Sequence, residues 1–236
     1  MYYRIKHSLD LKIVGQSSQI QDAELPMGWD NNPKFIEHIE FKKVDFEPLT
    51  STGILHKKAK LTDLISTVPA GFTRKLLISP ALKVLFEEFD KGFFQYFKCN
   101  IRSKEVAYEY WIVNPVVSVF ENVDFLQSNV STRKPKPEGG GTYLEPVKVN
   151  TLGEFNTYLT AQGRDSWRTS IDHVYFKTET TDDVFALANV EGGVGYYVSE
   201  RFKTAVEQQG FTGIEFAPST LNMVEWLHNE RKKHYN

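Results

Sequence analysis

The residues of this chain that could carry metal, nucleophilic or acid–base chemistry are few, and their spacing suits none of it. The six histidines are His7, His38, His56, His173, His228 and His234. A metal site needs converging ligands, which a helix supplies at i and i+4. His228 and His234 are six apart and fall on different helix faces. The one cysteine, Cys99, can form neither a paired-cysteine zinc site nor an internal disulfide. It lies in the aromatic stretch "FFQYFKCNIRS", where a thiol packs as a small apolar group and stays unreactive. No Gly-x-Ser-x-Gly elbow occurs. Two acid pairs, Asp182-Asp183 and Glu87-Glu88, are adjacent. Neighbouring side chains point apart in helices and strands, so adjacency does not make a proton-sharing dyad. Neither a catalytic residue nor a metal or cofactor is expected.

The glycine clusters point the same way. A phosphate loop runs strand, glycines, helix, so that the helix amides face the anion. In "EGGVGYYVSE" the residues "YYV" separate the glycines from the helix, and "PEGGGTY" lacks the Lys-Ser/Thr ending. Both read as turns. The basic runs "RKPKP" and "NERKKH" are short, and 28 Lys and Arg stand against 30 Asp and Glu. A formal charge of -2 gives no electrostatic reason to expect nucleic acid or an anionic membrane as partner.

The elements that would position any site are clearer. "KLLIS" reads as a strand ending at Ser79, which caps a helix through its hydroxyl. Pro80 follows at the first helical position, where no amide is needed. Leu82, Leu85, Phe86 and Phe89 then mark one buried face. The same unit recurs 120 residues later in "GYYVSERFKTAVEQQGFTGIEF". Ser199 is the cap, Lys203 and Glu207 match Lys83 and Glu87, and Phe202, Ala205 and Val206 form the face. Gly210 suits a left-handed helix stop. "FFQYFKCNIRS", "VAYEYWIVNP" and "DHVYFKTE" read as strands, and "DDVFALANV" joins "GYYVS" by a hairpin. "TLGEFNTYLTAQG" reads as a helix and "AKLTDLIST" as a short one stopped before Pro69. The tail "STLNMVEWLHNERKKHY" reads as a last helix capped by Ser219.

"STRKPKPEGGGTY", residues 131–143, alternates proline with lysine and ends in three glycines, so it is expected to be an exposed, mobile loop. The class is α+β, with a mostly antiparallel sheet, helices packed outside, and a strand–helix–strand unit used twice. A single domain over 1–236 is expected, with 131–143 as the place where it would divide into 1–130 and 144–236. One cysteine, a polar start and no apolar run of about 18 residues fit a cytoplasmic protein.

The succession "LLISPALKVLFEEF", "YEYWIVNPVVSVFENVDF", "DDVFALANV" and "YYVSERFKTAVEQQGFTGIEF" resembles the bacterial immunity protein eleven family, small proteins encoded beside polymorphic toxins. Asn114, Asp124, Ser199, Glu200, Gly213 and Phe216 fall on positions typical of it, over residues 60–217. The resemblance implies a cytoplasmic, non-catalytic protein that binds a cognate toxin, and it supplies no catalytic residue. Such a role rests on aromatic or arginine anchors within a polar rim. Trp29 and Trp167 are candidate anchors, and the acidic turn of Asp182, Asp183 and Glu191 is a candidate face for a basic toxin. An enzyme assembled from distant residues, with Cys99, His173 or the acid pairs in it, and a structural or regulatory partner of some larger assembly are the alternatives.

Overall fold

The computed structural model describes residues 1–235. Their strands form two sheets. One has six strands in the order β2-β3-β6-β7-β5-β4, with β2 Ile20–Glu24, β3 Thr52–Leu55, β4 Leu64–Ile65, β5 Leu76–Ile78, β6 Phe94–Ser103 and β7 Val106–Pro115. The other has seven, in the order β13-β1-β12-β11-β10-β8-β9. Its members are β1 Tyr2–His7, β8 Asn129–Pro135, β9 Thr142–Val147, β10 Thr169–His173, β11 Val184–Val190, β12 Gly193–Ser199 and β13 Ile214–Pro218. β3–β6 and β10–β11 pair in parallel, and the other pairs are antiparallel. The helices are α1 Leu11–Val14, α2 Pro80–Phe89, α3 Leu152–Gln162 and α4 Glu200–Gln208, followed by a short helical tail from Met223. The α+β class is the one the sequence indicates.

Each sheet packs on both faces, apart from the exposed β8–β9 end of the seven-stranded one. A central cluster takes Leu64, Ile78, Phe94 and Val113 from the six-stranded sheet and Ile5, Ala186, Tyr196 and Val198 from the seven-stranded one. Leu82, Leu85 and Phe86 of α2 and Phe202 and Val206 of α4 complete it. The far face of the six-stranded sheet packs against the irregular segment around Phe35, Ile36 and Phe72. The far face of the other packs on Phe155 of α3 and the loops around Val123 and Phe125.

The repeated unit is a structural repeat. Ser79 and Ser199 cap α2 and α4 by accepting from the Leu82 and Phe202 amides. Each serine also donates to an aspartate sixteen residues earlier, Ser79 to Asp63 at 2.8 Å and Ser199 to Asp183 at 2.6 Å. Leu64 opposite Ile78 matches Val184 opposite Val198, each 120 residues on. Trp111 lies opposite Ile78 as Tyr3 lies opposite Val198. Lys83 sits 4.6 Å from the Trp111 ring and Lys203 4.9 Å from the Tyr3 ring. The four strands β4-β5-β7-β6 thus correspond to β11-β12-β1-β13. In the second set the place of β7 is filled by β1 from the start of the chain.

Three local expectations are corrected. Residues 131–143 are largely a β-hairpin, because β8 and β9 pair from Val130 opposite Val147 to Pro135 opposite Thr142. Val130, Ser131 and Thr132 are buried, which supplies the drive for pairing. Pro135 ends its strand and Pro146 lies on the sheet's edge strand, the places where a missing amide is tolerated. "AKLTDLIST" is not a helix: Leu64 faces the central cluster and Ile65 the outer one. A strand buried on both sides shows no alternation to read. Ser219 does not cap the tail. Its amide donates to Tyr2 and its carbonyl accepts from Val174, and the cap is Asn222, in a capping box with Glu225.

One buried group sets a pH dependence. The Nε2 of His7 is shut off from solvent and unpartnered, and burial pushes the imidazole from 6.5 down to about 4. Above pH 6.5 the ring is neutral in both states. Below it the unfolded chain takes up a proton that the folded chain refuses, so stability falls with acid by up to about 3 kcal/mol by pH 4. Urea titrations at pH 7 and pH 4.5 should show a steeper loss for the wild type than for His7→Gln. Equal losses would mean that His7 is not the titrating group.

Candidate partner-binding cleft

The seven-stranded sheet carries a cleft of about 630 Å³, lined by Arg4 of β1, Arg133 of β8, Leu144 of β9, Trp167 and Arg168, Ser170, Asp172 and His173 of β10, Glu191, Gly192, and Asn222 to Val224 of the tail. Trp167 and Arg168 come from the 3-10 turn Gly163–Arg168 that follows α3. The parallel pairing of β10 with β11 sets this turn beside the β11–β12 hairpin. There the Asn189 side chain donates to the carbonyls of Ser166 at 2.9 Å and Thr169 at 3.0 Å. The tail reaches the cleft because the Asn222 box starts its helix there, turning Trp226 into the protein and Met223 and Val224 outward.

The rim is apolar and exposed: Trp167 54%, Leu144 52%, Met223 38% and Val224 65%. The floor is polar. Glu191 is bonded by Arg4 and by the Met223 amide, with Lys6 at 3.6 Å. Burial alone would raise this carboxyl, but the Arg4 and Lys6 charges outweigh it and hold it below the usual range. Asp172 accepts from Ser131. His173 shares its Nε2 with Glu225 at 2.8 Å and Asn222 at 3.2 Å, while its Nδ1 has no partner. The Ser170 hydroxyl, on a residue 6% exposed, has none either.

Two further features mark this region. Among the described residues four buried side-chain atoms lack a hydrogen-bond partner, and two of them, on Ser170 and His173, belong to this cleft. A second cleft of about 650 Å³ beside the start of α4 holds none, and its Asp183 is consumed by Ser199 and Arg201. Backbone strain also gathers here. Among the described residues five that are not glycine have positive φ. Glu191 lines the cleft, and Phe41, Arg74 and Asn189 line a small recess on the other side of Trp167. Such conformations persist where the surroundings enforce them, often at binding sites.

The structure brings Trp167 and Glu191 of the expected residues together in this cleft. Trp29 leans on Phe35, with ring centres 5.6 Å apart, at the edge of the outer core. Asp182 accepts from Lys91 at 2.9 Å and Asn122 at 2.8 Å. Asp183 is buried and locks α4. Of the groups an enzyme would recruit, Cys99 is buried and its thiol is pushed well above the usual range by that burial, and Glu87 is paired with Lys83 at 2.6 Å. Among the described residues no three His, Cys, Asp or Glu side chains are grouped to hold a metal, and no helix is long and apolar enough to cross a membrane. Arg4, Arg133, Arg168, Ser170, Leu144, Met223 and Val224 were not legible as site residues. Only the outward "MV" before the buried Trp226 left a trace in the sequence.

Residues 28–220 match the family model described as "Immunity protein family (Imm11)". The chain belongs to the Imm11 family. The Imm11 match takes in both copies of the repeated unit apart from β1, and the cleft from Arg133 to Gly192. Arg4 on one wall and Met223 and Val224 on another lie outside the matched span. No curated protein matches the chain.

Proposed function

We propose that this protein neutralises a cognate bacterial toxin in the cytoplasm of the producing cell, by binding it one to one without catalysis. The observation that carries the reading is membership of an immunity family, in a chain whose thiol is buried and whose Glu87, Asp182 and Asp183 are internally paired. The make-up of the cleft at Trp167 suits a binding face: an exposed tryptophan and methionine around arginines, types enriched at protein interfaces, with Leu144 and Val224 adding apolar surface. Trp29, Asp182 and Asp183 lie outside the cleft with internal partners, so the proposed face is built on Trp167, with Glu191 holding Arg4 and the tail in place beneath it.

The test is co-expression with the toxin encoded beside it, followed by titration of the purified pair. Growth rescue with saturable one-to-one binding is expected. Trp167→Ala should weaken binding by about 2 kcal/mol or more with thermal unfolding unchanged, because the ring is exposed. Rescue without binding would instead indicate an enzyme that modifies the toxin or repairs its damage. Binding without rescue would indicate a structural or regulatory partner.

A further inference from the structure

We infer that the cleft receives a carboxylate of its partner: an aspartate or glutamate on an extended segment, with a neighbouring apolar side chain lying on Trp167 and Leu144. This rests on the proposed protein-binding role and adds the chemistry of what is bound.

Arg4 and Glu191 are committed to each other, while Arg133 and Arg168 keep N–H groups for an acceptor. Glu191 is saturated by Arg4, Lys6 and the Met223 amide, and Asp172 is held by Ser131. Arg133, by contrast, has no carboxylate within ion-pair distance among the described residues and bonds only the Thr142 hydroxyl at 3.3 Å. Arg168 reaches Asp165 at 3.3 Å in a pair 41% and 58% exposed, an arrangement of little worth in water and easily exchanged. Its guanidinium lies 5.3 Å from the centre of the Trp167 ring, which occupies one face and leaves the N–H edge for an acceptor. The Ser170 hydroxyl is buried and unpartnered on the cleft floor.

Register sharpens the point. β8 and β10 set Thr132 opposite Thr169. One residue beyond that pair, Arg133 continues β8 while Arg168 ends the 3-10 turn, and both line the cleft. Two cations lining one cleft repel each other, and an anion between them removes the repulsion. Two guanidinium groups and one hydroxyl match the lone pairs of a single carboxylate. Leu144, directly opposite Arg133, and Trp167 flank that position with apolar surface. A volume of about 630 Å³ accommodates a few side chains. A nucleic-acid backbone fits less well, since it calls for a stripe of cations and this chain carries a net charge of -2.

The experiment measures affinity for the neighbouring toxin across a salt series, with wild type, Arg133→Glu/Arg168→Glu, Arg133→Gln/Arg168→Gln, Ser170→Ala and Trp167→Ala. Circular dichroism and thermal unfolding confirm that each variant folds. The charge-reversed double variant is expected to bind on the order of 100-fold more weakly. The glutamine pair should lose most of the salt dependence. Replacing the toxin's Asp and Glu residues one at a time with Lys should reveal one exchange that restores binding to the reversed variant. Full affinity of the reversed variant together with loss in Trp167→Ala would overturn the carboxylate while leaving the cleft as the face. Full affinity in every variant would place the face elsewhere. No binding of wild type to the toxin would remove the protein-binding reading and this inference with it. Loss of wild-type binding after nuclease treatment would assign the arginines to phosphate instead.

Discussion

Replacing Phe202 with alanine lowers the free energy of unfolding by about 3–5 kcal/mol, a large part of the roughly 5–15 kcal/mol typical of a domain. Phe202 is 1% exposed. Its ring meets Phe86 edge-on with centres 4.9 Å apart and Phe89 at 5.3 Å, so it joins α4 to α2 where both helices enter the core shared by the two sheets. The change therefore opens a cavity lined by both copies of the repeated unit, and neither can relax into it alone. Phe202→Leu installs the residue type that Leu82 supplies in the first copy and should cost clearly less. Urea unfolding of the three proteins checks both statements. A loss under about 1 kcal/mol for the alanine variant would mean that the two helices are not packed as one unit.

Arg231→Met is the second large loss, about 3–5 kcal/mol. Glu215 is 1% exposed and accepts from the Ser8 hydroxyl at 2.9 Å, the Leu9 amide at 2.8 Å and the Arg231 guanidinium at 2.6 and 2.8 Å. Removing the arginine strands a buried carboxylate and frees the tail that forms one wall of the cleft. The first copy shows the neutral solution. Gln95 stands 120 residues before Glu215 and holds the Val44 backbone by two bonds, at 2.9 and 2.7 Å. Arg231→Met combined with Glu215→Gln should therefore be more stable than Arg231→Met alone, although it carries one more substitution. A double-mutant cycle by denaturant unfolding reads the sign directly. A double variant less stable than Arg231→Met would show that the ionised carboxylate is held by Ser8 and Leu9 without need of the arginine.

How much of this was legible follows from where each feature's cause resides. The caps at Ser79 and Ser199, the stop at Gly210 and the β11–β12 hairpin are set by residues within a few positions of each other, so pattern reading finds them. β4 and β8 are set by distant partners: Leu64 and Ile65 are strand residues because sheet and core close on both sides of them, and Pro135 is tolerated because its strand ends there. The cleft is further from view. Arg4, Arg133, Trp167, Glu191 and Met223 come from five separate segments, and no spacing along the chain records their convergence. Trp167 stood out as an aromatic in a polar turn. Arg133 did not, because a proline-lysine run conceals the strand that carries it. The family resemblance, which the Imm11 match bears out, does not reach the site, since the positions it rests on are caps, turns and core.

β1 pairs with β12 and β13 and with no other strand. It is made long before its partners β12 and β13. At roughly 5–20 residues per second a ribosome needs about 10–40 seconds to supply them. During that time the first strand has no ladder to join, while β2 to β7, which pair only among themselves, have all been synthesised. The seven-stranded sheet, and with it Arg4 in the cleft, closes only once β12 and β13 have been made. A message cut short before β13 would therefore leave β1 with an open strand edge at one end of that sheet. Only copies made through β13 have that edge covered.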